Sequence, residues 1–395
     1  MNSKTVIGLG AAAVLAVAIA ATISISRKPV AETAQGAAEL LPGLGERIND
    51  IKRISVTGAG QKRLVTLDRT EQGWVLAEKG GYPADAGKVR EYLLKLGQSR
   101  LVEQKTANEQ RYADIGVTDI GAADAKGMLV ALDGLPQPAQ LIVGIVNTRG
   151  DSTYVRRAGE AQSWLAKGSL VPDKTAANWL DKLVVDLPAT RVREVVWTRP
   201  DGKPVRILKD KAEDTNYRLA DLPKGRELAS DYVTNTQATT LAGLNFDDVL
   251  PAAEAAPPAD GKVYRATFAS FDGIVVEMTG WKKGDLFHAQ FKTHKDQSAF
   301  DASVAAVQNE TKTEVSAPAG ADGSQPVPAA VDPAKDKAER AAKLDAEVGM
   351  LAKRVEGWTF VLPAYKAANF DKGSEEFLKP LGEKSNEAKK TANAK

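Results

Sequence analysis

Apolar and polar residues alternate along two neighbouring stretches near the start of the patterned part of the chain. These stretches are "IKRISVTGAG", from Ile51, and "RLVTLDRT", from Arg63. Alternation with a period of two is typical of half-buried strands, and the Gly-Ala-Gly between them favours a turn, so the pair predicts a β-hairpin. "GWVLA", from Gly73, predicts a third strand.

The apolar spacing changes to that of a helix after the turn at Gly80-Gly81. In "PADAGKVREYLLKLGQSRLV" the side chains of Val89 and Leu93 fall near one face, and Pro83 with Asp85 provides a helix start. Two further predicted strands, "MLVALDG" and "AQLIVGIVN", precede a second helical stretch, "DKTAANWLDKLVVDL".

The same order of patterns begins again at "REVVWTRPDGKPVRILKD", a predicted hairpin with an Asp-Gly turn. "NYRLADL" would supply the third strand of this second copy, and "ELASDYVTNTQATTLAGL" its helix. Placing Trp74 on Tyr217 also aligns Leu76 with Leu219, at a single offset of 143 residues. The sequence therefore predicts a divergent duplication.

The first part of the chain carries an apolar stretch of membrane-spanning length. Val6–Ile25 is free of charged residues over 20 positions, about the length that crosses a bilayer as a helix. A secretory signal peptide cleaved after Ala18–Ala20 is the competing interpretation. We predict an uncleaved signal-anchor, because the stretch is longer than a signal-peptide core. We expect export of the large polar part, although Arg27 and Lys28 oppose that orientation.

Together these patterns predict an α+β fold, in which an N-terminal transmembrane helix is followed by two related repeats of antiparallel β-hairpin/strand plus helix. An Ala/Pro-rich stretch before the last motif predicts a disordered insertion. The predicted organisation is a signal-anchor at 1–28, a linker at 29–47, a first α+β repeat domain at 48–190, a second at 191–308, the insertion at 309–340, a helix and C-terminal motif completing the second domain at 341–382, and a disordered tail at 383–395.

The charge balance makes nucleic acid a poor candidate for a partner, because 53 Lys and Arg oppose 51 Asp and Glu for a net charge of +2. The absence of cysteine excludes thiolate metal sites, disulfides and cysteine nucleophiles. The G-x-x-x-x-G-K-[ST], H-E-x-x-H and G-x-S-x-G motifs are also absent from the sequence. We therefore expect a protein that is not an enzyme, with no catalytic residue and no cofactor.

The two histidines, His288 and His294, lie six residues apart on or beside one predicted strand. The even spacing could place both on one face, where Asp285 or Asp296 could join them in a metal site. A strand of that length need not stay regular, and isolated histidines are more often ordinary surface or core residues. We expect no metal site.

Four arginines are candidates for contact with an anionic group or a partner, since guanidinium groups bind carboxylates and phosphates well. The alternative is a charged strand edge that discourages aggregation, and this is the interpretation we favour. The candidates are Arg156, Arg157, Arg191 and Arg193.

Aromatic residues recur at equivalent places along the chain, at the ends of predicted strands. Tryptophans in a groove would suggest carbohydrate stacking. Their recurrence instead favours core anchors, so the motif "GWVLAEKGGYPAD" predicts a structural joint and not a catalytic site. The predicted joint residues are Trp74, Leu76, Tyr82, Pro83, Tyr217, Leu219, Trp358, Pro363 and Tyr365.

The order of these motifs resembles domain-of-unknown-function family 4340. It runs "W-V-L", "Y-P-A-D", a leucine-rich helix, "W-L-D-K-L-V" and a terminal "G-W-x-F-x-L-P-x-Y-K-A", from about Ile48 to Leu381. The resemblance implies an N-terminal membrane helix, an extracytoplasmic α+β region, and genes beside those of a gliding-motility-type ABC transporter. It implies no catalytic residue.

These observations lead to the hypothesis of a non-enzymatic, single-pass protein of the bacterial inner membrane whose bulk is periplasmic. It would act by protein–protein interaction as an accessory of an ABC-type transporter or envelope complex. Its partners would be permease or auxiliary subunits, with the Val6–Ile25 helix in the membrane. One alternative is a solute- or glycan-binding module that uses a cleft between the two repeats, and another is a hydrolase with a dispersed carboxylate site.

Overall fold

The alternating stretches near the start of the patterned region form the predicted hairpin. Arg53–Thr57 (β1) pairs antiparallel with Arg63–Thr70 (β2), and Ile54 lies opposite Leu67. The side chains of both Ile54 and Leu67 are fully buried, as the alternation requires. The structure is a computed structural model that describes residues 38–316 and 332–380.

Strands dominate the described chain, and four of its seven α-helices are single turns of four residues. After β1 and β2 the strands are β3 (Gly73–Leu76), β4 (Tyr82–Pro83), β5 (Leu101–Gln104), β6 (Met128–Asp133), β7 (Ala139–Val146), β8 (Ser152–Arg157), β9 (Ser163–Lys167), β10 (Leu183–Val185), β11 (Val192–Thr198), β12 (Val205–Leu208), β13 (Arg218–Leu219), β14 (Leu244–Asn245), β15 (Asp248–Pro251), β16 (Tyr264–Ser270), β17 (Ile274–Lys283), β18 (Leu286–Lys295) and β19 (Trp358–Leu362). The described helices are α1 (Leu44–Arg47), α2 (Ala86–Gln98), α3 (Tyr112–Ile115), α4 (Asn235–Ala238), α5 (Gln297–Ser316), α6 (Pro333–Val355) and α7 (Ala364–Ala367).

The chain forms two units, of which unit 1 comprises the described residues up to Arg69 together with Gly87–Lys174. Its strands form an antiparallel sheet in the order β2-β1-β6-β7-β8-β9-β5. Helix α2 buries Val89 and Leu93, the apolar positions on which its prediction rested. Tyr92, on the same helix, donates a hydrogen bond from its hydroxyl to the carbonyl of Leu170 at 3.2 Å.

Unit 1 also includes residues that the sequence assigned to a linker at 29–47. Leu40 and Leu44 are buried, and the Leu40 N–H donates to the carbonyl of Ser99 at 3.1 Å. These leucines lie in an Ala/Gly-rich stretch without clear periodicity. Their burial depends on contacts with residues more than 50 positions away, which local pattern does not reveal.

Unit 2 comprises Thr70–Ala86 and the described residues from Thr175 onward. Its larger sheet is antiparallel, in the order β13-β12-β11-β16-β17-β18-β19-β15, and β10 pairs with β14 in a small second sheet. Helix α6 packs along β18. Arg191 fastens this helix to the sheet by pairing with both Asp272 (2.6 Å) and Glu347 (2.7 Å).

The two sheets share one order of strands. The order β2-β1-β6-β7-β8-β9-β5 in unit 1 corresponds, position by position, to β12-β11-β16-β17-β18-β19-β15 in unit 2. In each sheet a hairpin comes first, four strands in chain order follow it, and the edge strand, β5 or β15, comes last. In the chain, this edge strand lies between the hairpin and the four strands.

The predicted fold class, α+β with an N-terminal transmembrane helix, is wrong, because the described chain is mostly antiparallel β-sheet. The stretch "DKTAANWLDKLVVDL" forms a 3-10 turn at Ala176–Trp179 and then β10, in which Leu183 and Val185 pair with β14. The helix expected in the second copy is reduced to the single turn of α4. Its Ser, Asp, Asn and Thr residues compete for backbone hydrogen bonds and disfavour a helix interior.

Within residues 38–316 and 332–380, no helix is long and apolar enough to cross a membrane. The predicted span Val6–Ile25 and the predicted tail at 383–395 lie outside the described residues. The predicted insertion at 309–340 is described only at its two ends, where α5 continues to Ser316 and α6 begins at Pro333.

Candidate functional site

The motif that begins at Gly73 places Tyr82 in an aromatic pocket within unit 2. Strands β3 and β4 pair across its glycine turn, with Leu76 opposite Tyr82. The Tyr82 ring is 2% exposed and lies edge-on to three rings. The centroids of Trp358, Phe246 and Phe360 are 4.9, 5.3 and 6.0 Å away, and these three residues are called the aromatic pocket below.

The turn before Tyr82 is held against the edge strand β15. Lys79 Nζ is 2.7 Å from one carboxylate oxygen of Asp248 and 2.5 Å from the other. Gly80 has a φ of +64°, and a Cβ atom there would lie 2.6 Å from Cγ of Pro251. Only glycine fits this position, because both the left-handed backbone and the contact exclude a side chain.

The end of the motif pairs with a distant segment in what we call the first joint, Pro83–Asp85 with Trp179–Asp181. Ala84 and Leu180 form an antiparallel bridge. The Asp85 N–H donates to the Trp179 carbonyl at 2.7 Å, and the Asp181 N–H to the Pro83 carbonyl at 3.1 Å. Burial raises the pKa of the Tyr82 phenol, so this hydroxyl stays protonated and is unsuited to act as a base.

A second joint has the same pattern of backbone pairing, between Glu227–Ala229 and Phe377–Lys379. Leu228 and Leu378 form the bridge. The Ala229 N–H donates to the Phe377 carbonyl at 2.8 Å, and the Lys379 N–H to the Glu227 carbonyl at 2.9 Å. Neither segment of this joint contains a predicted joint residue.

The other predicted joint residues differ in burial. Leu76, Tyr217 and Leu219 are buried, whereas Pro83 is exposed and Trp74, Trp358 and Pro363 are half-buried. The Tyr217 hydroxyl lies 2.6 Å from the carbonyl oxygens of both Ala189 and Val192 and donates its single proton between them. Tyr365 is 70% exposed, so packing within the described chain does not account for it.

Three of the candidate arginines are engaged inside their own units. Arg156 is buried, stacks on the ring of Tyr112 with its guanidinium carbon 4.6 Å from the ring centroid, and pairs with Asp119. Arg157 donates to the carbonyl of Leu40 at 2.9 Å. Arg191 attaches α6 to the sheet through its pairs with Asp272 and Glu347. Their polar groups are used in folding, which makes them poor sites for an external anion.

Arg193 lies on β11 and is half-buried. The hydrogen bond from the Ser298 side chain is the largest cause that lowers the pKa of Asp296, and the charge of Arg193 is the smallest. Asp296 accepts N–H bonds from Ser298 (3.0 Å) and Ala299 (3.1 Å) and caps the start of α5. Arg193 therefore contributes to the electrostatics of a helix cap.

The structure does not bring the two histidines, His288 and His294, together. His288 is 5% exposed and stacks on Trp281 with a centroid distance of 5.8 Å, whereas His294 is exposed further along β18. In the described part of the chain no group of three or more histidine and acidic side chains is placed to hold a metal ion.

Folding stability should depend on the protonation of His288. Burial lowers the pKa of its imidazole below the ordinary value of about 6.5. As pH falls below about 6.5 the unfolded chain binds this proton more readily, so the free energy of unfolding should decrease. Denaturant titrations between pH 7.5 and about pH 5 would measure the slope. His288→Phe, which keeps a ring on Trp281, should flatten it, and the exposed control His294→Gln should not. An unchanged slope in His288→Phe would assign the dependence to other groups.

Polar contacts fasten the C-terminal segment 363–379 to the region around α4. Lys366 Nζ donates to the carbonyl of Thr240 at 3.0 Å. Gln237 donates to the carbonyl of Asn369 at 2.7 Å, and the Asn369 amide donates to the Thr240 hydroxyl at 3.1 Å. Gln237, Thr240 and Asn369 are buried, so this network fixes the segment rigidly.

Asp371 adds a second attachment of the same segment to the sheet. Its carboxylate accepts hydrogen bonds from the Tyr264 hydroxyl at 2.7 Å and from Lys282 Nζ at 2.8 Å. Trp197 donates from Nε1 to the carbonyl of Lys372 at 2.7 Å. These contacts use the polar groups to hold the segment on the sheet.

Large apolar and aromatic side chains are nevertheless exposed on this fixed scaffold. Residues 220–232 and 363–379 together form what we call the C-terminal surface. Tyr232 and Tyr365 are each 70% exposed, and Leu222 is 43% exposed. Residues 220–232 have no regular secondary structure, as is common in binding loops. Exposed tyrosines on a rigid support are typical of protein-binding surfaces.

Comparison with known proteins identifies a family. A family model described as "Domain of unknown function (DUF4340)" matches residues 74–267. The match begins in the motif that forms the first joint and extends to β16. The chain matches no curated protein and no solved structure.

Proposed function

Because the chain belongs to the DUF4340 family, whose description carries no function, we propose a role from its geometry: it acts without catalysis, by binding another protein through the C-terminal surface. The supporting observations are the exposure of Tyr365 on segment 363–379, which buried hydrogen bonds fix, and the exposure of Tyr232 just before α4. A preorganised aromatic surface loses little conformational entropy on binding.

The partner that we propose is a permease or auxiliary subunit of an ABC-type transporter, or a related envelope complex. The protein would work at the bacterial inner membrane, with its described units outside the cytoplasm. This part of the proposal draws on the family resemblance in the sequence, and the exposed tyrosines support binding to a protein.

Purification of the tagged full-length chain from detergent-solubilised membranes of its host tests this role. Transporter subunits should co-purify with the wild-type chain. The double substitution Tyr232→Ser with Tyr365→Ser should reduce their yield at least about tenfold, because tyrosines that become buried when a partner binds are frequent hot spots of interfaces. Val102→Ser, at a side chain of unit 1 that is also exposed, is the matched control and should leave the yield unchanged.

Two results would count against the proposal. One is recovery of the intact wild-type chain alone. The other is equal loss of partner in the tyrosine variant and in the Val102→Ser control, which would indicate a general defect. Thermal unfolding of each purified variant checks that the substitutions leave the fold intact.

A further inference from the structure

Strand β5 ends the sheet of unit 1, and no other strand of the described chain pairs with its outer side. Its inner side pairs with β9. On the outer side, the N–H of Leu101 donates to the carbonyl of Ala38 at 2.8 Å. Beyond Leu101 the side chain of Val102 is 58% exposed, and Glu103 and Gln104 are exposed too. Within residues 38–316 and 332–380, β5 is therefore an uncovered edge from Val102 onward.

The backbone N–H and C=O groups of Gln104 face this uncovered side. Successive residues of an antiparallel strand turn these groups to opposite sides. The N–H of Lys105 donates to the carbonyl of Ser163 on β9 at 2.9 Å, and the register shift in β5 lies before Glu103. The groups of Gln104, one residue earlier than Lys105, therefore point away from β9. An unpaired edge of this kind is a template for a further strand.

Glu103 and Lys105 place opposite charges on the two sides of Gln104. Residues two apart on a strand share a face, and Lys105 Nζ is 2.6 Å from Oε2 of Glu103. The Glu103 side chain is 59% exposed and that of Lys105 is 25% exposed. In an antiparallel pair of two identical strands centred on Gln104, each Glu103 lies opposite a Lys105. The edge is therefore complementary in charge to a copy of itself.

We propose that β5 pairs antiparallel with β5 of a second copy of this chain, about a two-fold axis between the two Gln104 residues. Each Gln104 donates its N–H to the carbonyl of the other, and a Glu103–Lys105 pair lies on either side. Such an isologous contact uses the same strand in both copies and joins their sheets into one. Its residues belong to unit 1, whereas the C-terminal surface belongs to unit 2, so the inference does not depend on the proposed function.

The charges favour this occupant and this register. A pairing centred on Glu103 or on Lys105 would place like charges opposite each other, which destabilises an antiparallel pair. An edge with charges of one sign would repel every copy, but β5 carries both signs symmetrically about Gln104. The pairing is short, because Ala38 already occupies the outer side at Leu101. We therefore expect a reversible dimer and not an obligate one.

Disulfide cross-linking of the full-length chain in host membranes tests the pairing. The chain has no cysteine, so Gln104→Cys introduces a single thiol. Opposite residues of a hydrogen-bonded antiparallel pair have Cα atoms about 5.5 Å apart, within reach of a disulfide. After mild oxidation, Gln104→Cys should give a covalent dimer at a yield at least about tenfold above that of Val171→Cys, a control at another exposed side chain of unit 1.

Charge reversal tests the register. In the Gln104→Cys chain, Glu103→Lys or Lys105→Glu alone puts like charges opposite each other and should lower the dimer yield at least about fivefold. Co-expression of the two variants with different tags should restore it. The restored dimer should join differently tagged chains, because only these have complementary charges.

Sedimentation of the purified full-length chain in detergent tests the backbone contact separately. Gln104→Pro removes the outward N–H at an edge position where proline is tolerated, so it should shift the chain to the monomer. Gln104→Ala keeps this N–H and should dimerise as the wild type does. Thermal unfolding checks that both variants fold.

Three results would overturn the inference. One is a dimer yield for Gln104→Cys no higher than for Val171→Cys, which a monomer gives whether or not another segment of the same chain lies on β5. The second is capture of a different protein by the thiol. The third is equal cross-linking in the charge-reversed chains, alone and mixed. Gln104→Pro should leave co-purification of transporter subunits unchanged, so this inference and the proposed function fail separately.

Discussion

Tyr82→Ala is expected to lower the free energy of unfolding of unit 2 by about 3–5 kcal/mol, the cost typical of removing a buried aromatic ring. The Tyr82 ring is almost completely buried and contacts three aromatic rings edge-on. Its removal leaves a cavity lined by Phe246, Trp358 and Phe360, and it also removes favourable edge-to-face contacts. The residues around Tyr82 come from distant parts of the chain, so the cavity cannot close by a local shift.

Denaturant unfolding, followed by tryptophan fluorescence and by near-ultraviolet circular dichroism, measures this loss. Trp358 lies 4.9 Å from the Tyr82 ring, so its environment reports on the substitution directly. Tyr365→Ala is the matched control, because the exposed ring should cost no more than about 0.5 kcal/mol. Tyr82→Phe should retain most of the stability. A loss below about 1 kcal/mol in Tyr82→Ala would show that the pocket does not support the fold of unit 2.

The segment around Tyr82 shows which structural features the local sequence pattern predicts. Sequence periodicity predicted the strand at Gly73, the turn at Gly80-Gly81 and the helix after it, and the structure confirms all three. These features depend on glycine conformations and on spacing within a few residues. The partners of Tyr82 lie more than 160 residues away, and no local pattern identifies them.

The sequence predicted a helix where the structure has a strand, in a short apolar run flanked by polar residues. "LDKLVVDL" has spacing compatible with a helix, but Val184 and Val185 are fully buried β-branched residues that suit a strand. Pairing of β10 with β14, across about 60 residues, decides the outcome. Strand pairing between distant residues outweighs the local helical spacing here, and for this reason the predicted α+β class was wrong.

The C-terminal surface was only partly predictable. Tyr365 was selected as a packing residue of a motif, and nothing in the sequence distinguishes an exposed tyrosine from a buried one. A signal for the segment that holds it does exist: "AANFDK" from Ala367 is similar to "AANWLDK" from Ala176. In both segments the aromatic residue, Phe370 or Trp179, is buried, although the backbone counterpart of Trp179 at the second joint is Phe377.

Gly127→Ala is expected to destabilise unit 1 by about 3 kcal/mol or more, the upper range for a side chain inserted into a packed region. A Cβ atom at Gly127 would lie 2.2 Å from the carbonyl oxygen of Gly116 and 2.9 Å from that of Val143. Both obstacles are backbone atoms of neighbouring elements, the end of α3 and strand β7, so no rotation of a side chain relieves the contact. The methyl group can enter only if the turn at Gly116 moves away and β6 shifts relative to β7, near the centre of the sheet.

Gly349→Ala provides the matched control, because the same substitution there should increase the stability of the protein instead of lowering it. Gly349 lies within α6, and a Cβ atom at this position meets no other atom within 4 Å. Alanine should stabilise this helix by about 0.5–1 kcal/mol, because glycine loses more backbone entropy when it folds. Thermal unfolding of the two variants under one set of conditions measures both effects. If Gly127→Ala were as stable as the wild type, the loop that contains Gly116 would have to pack on β7 less closely than the structure describes.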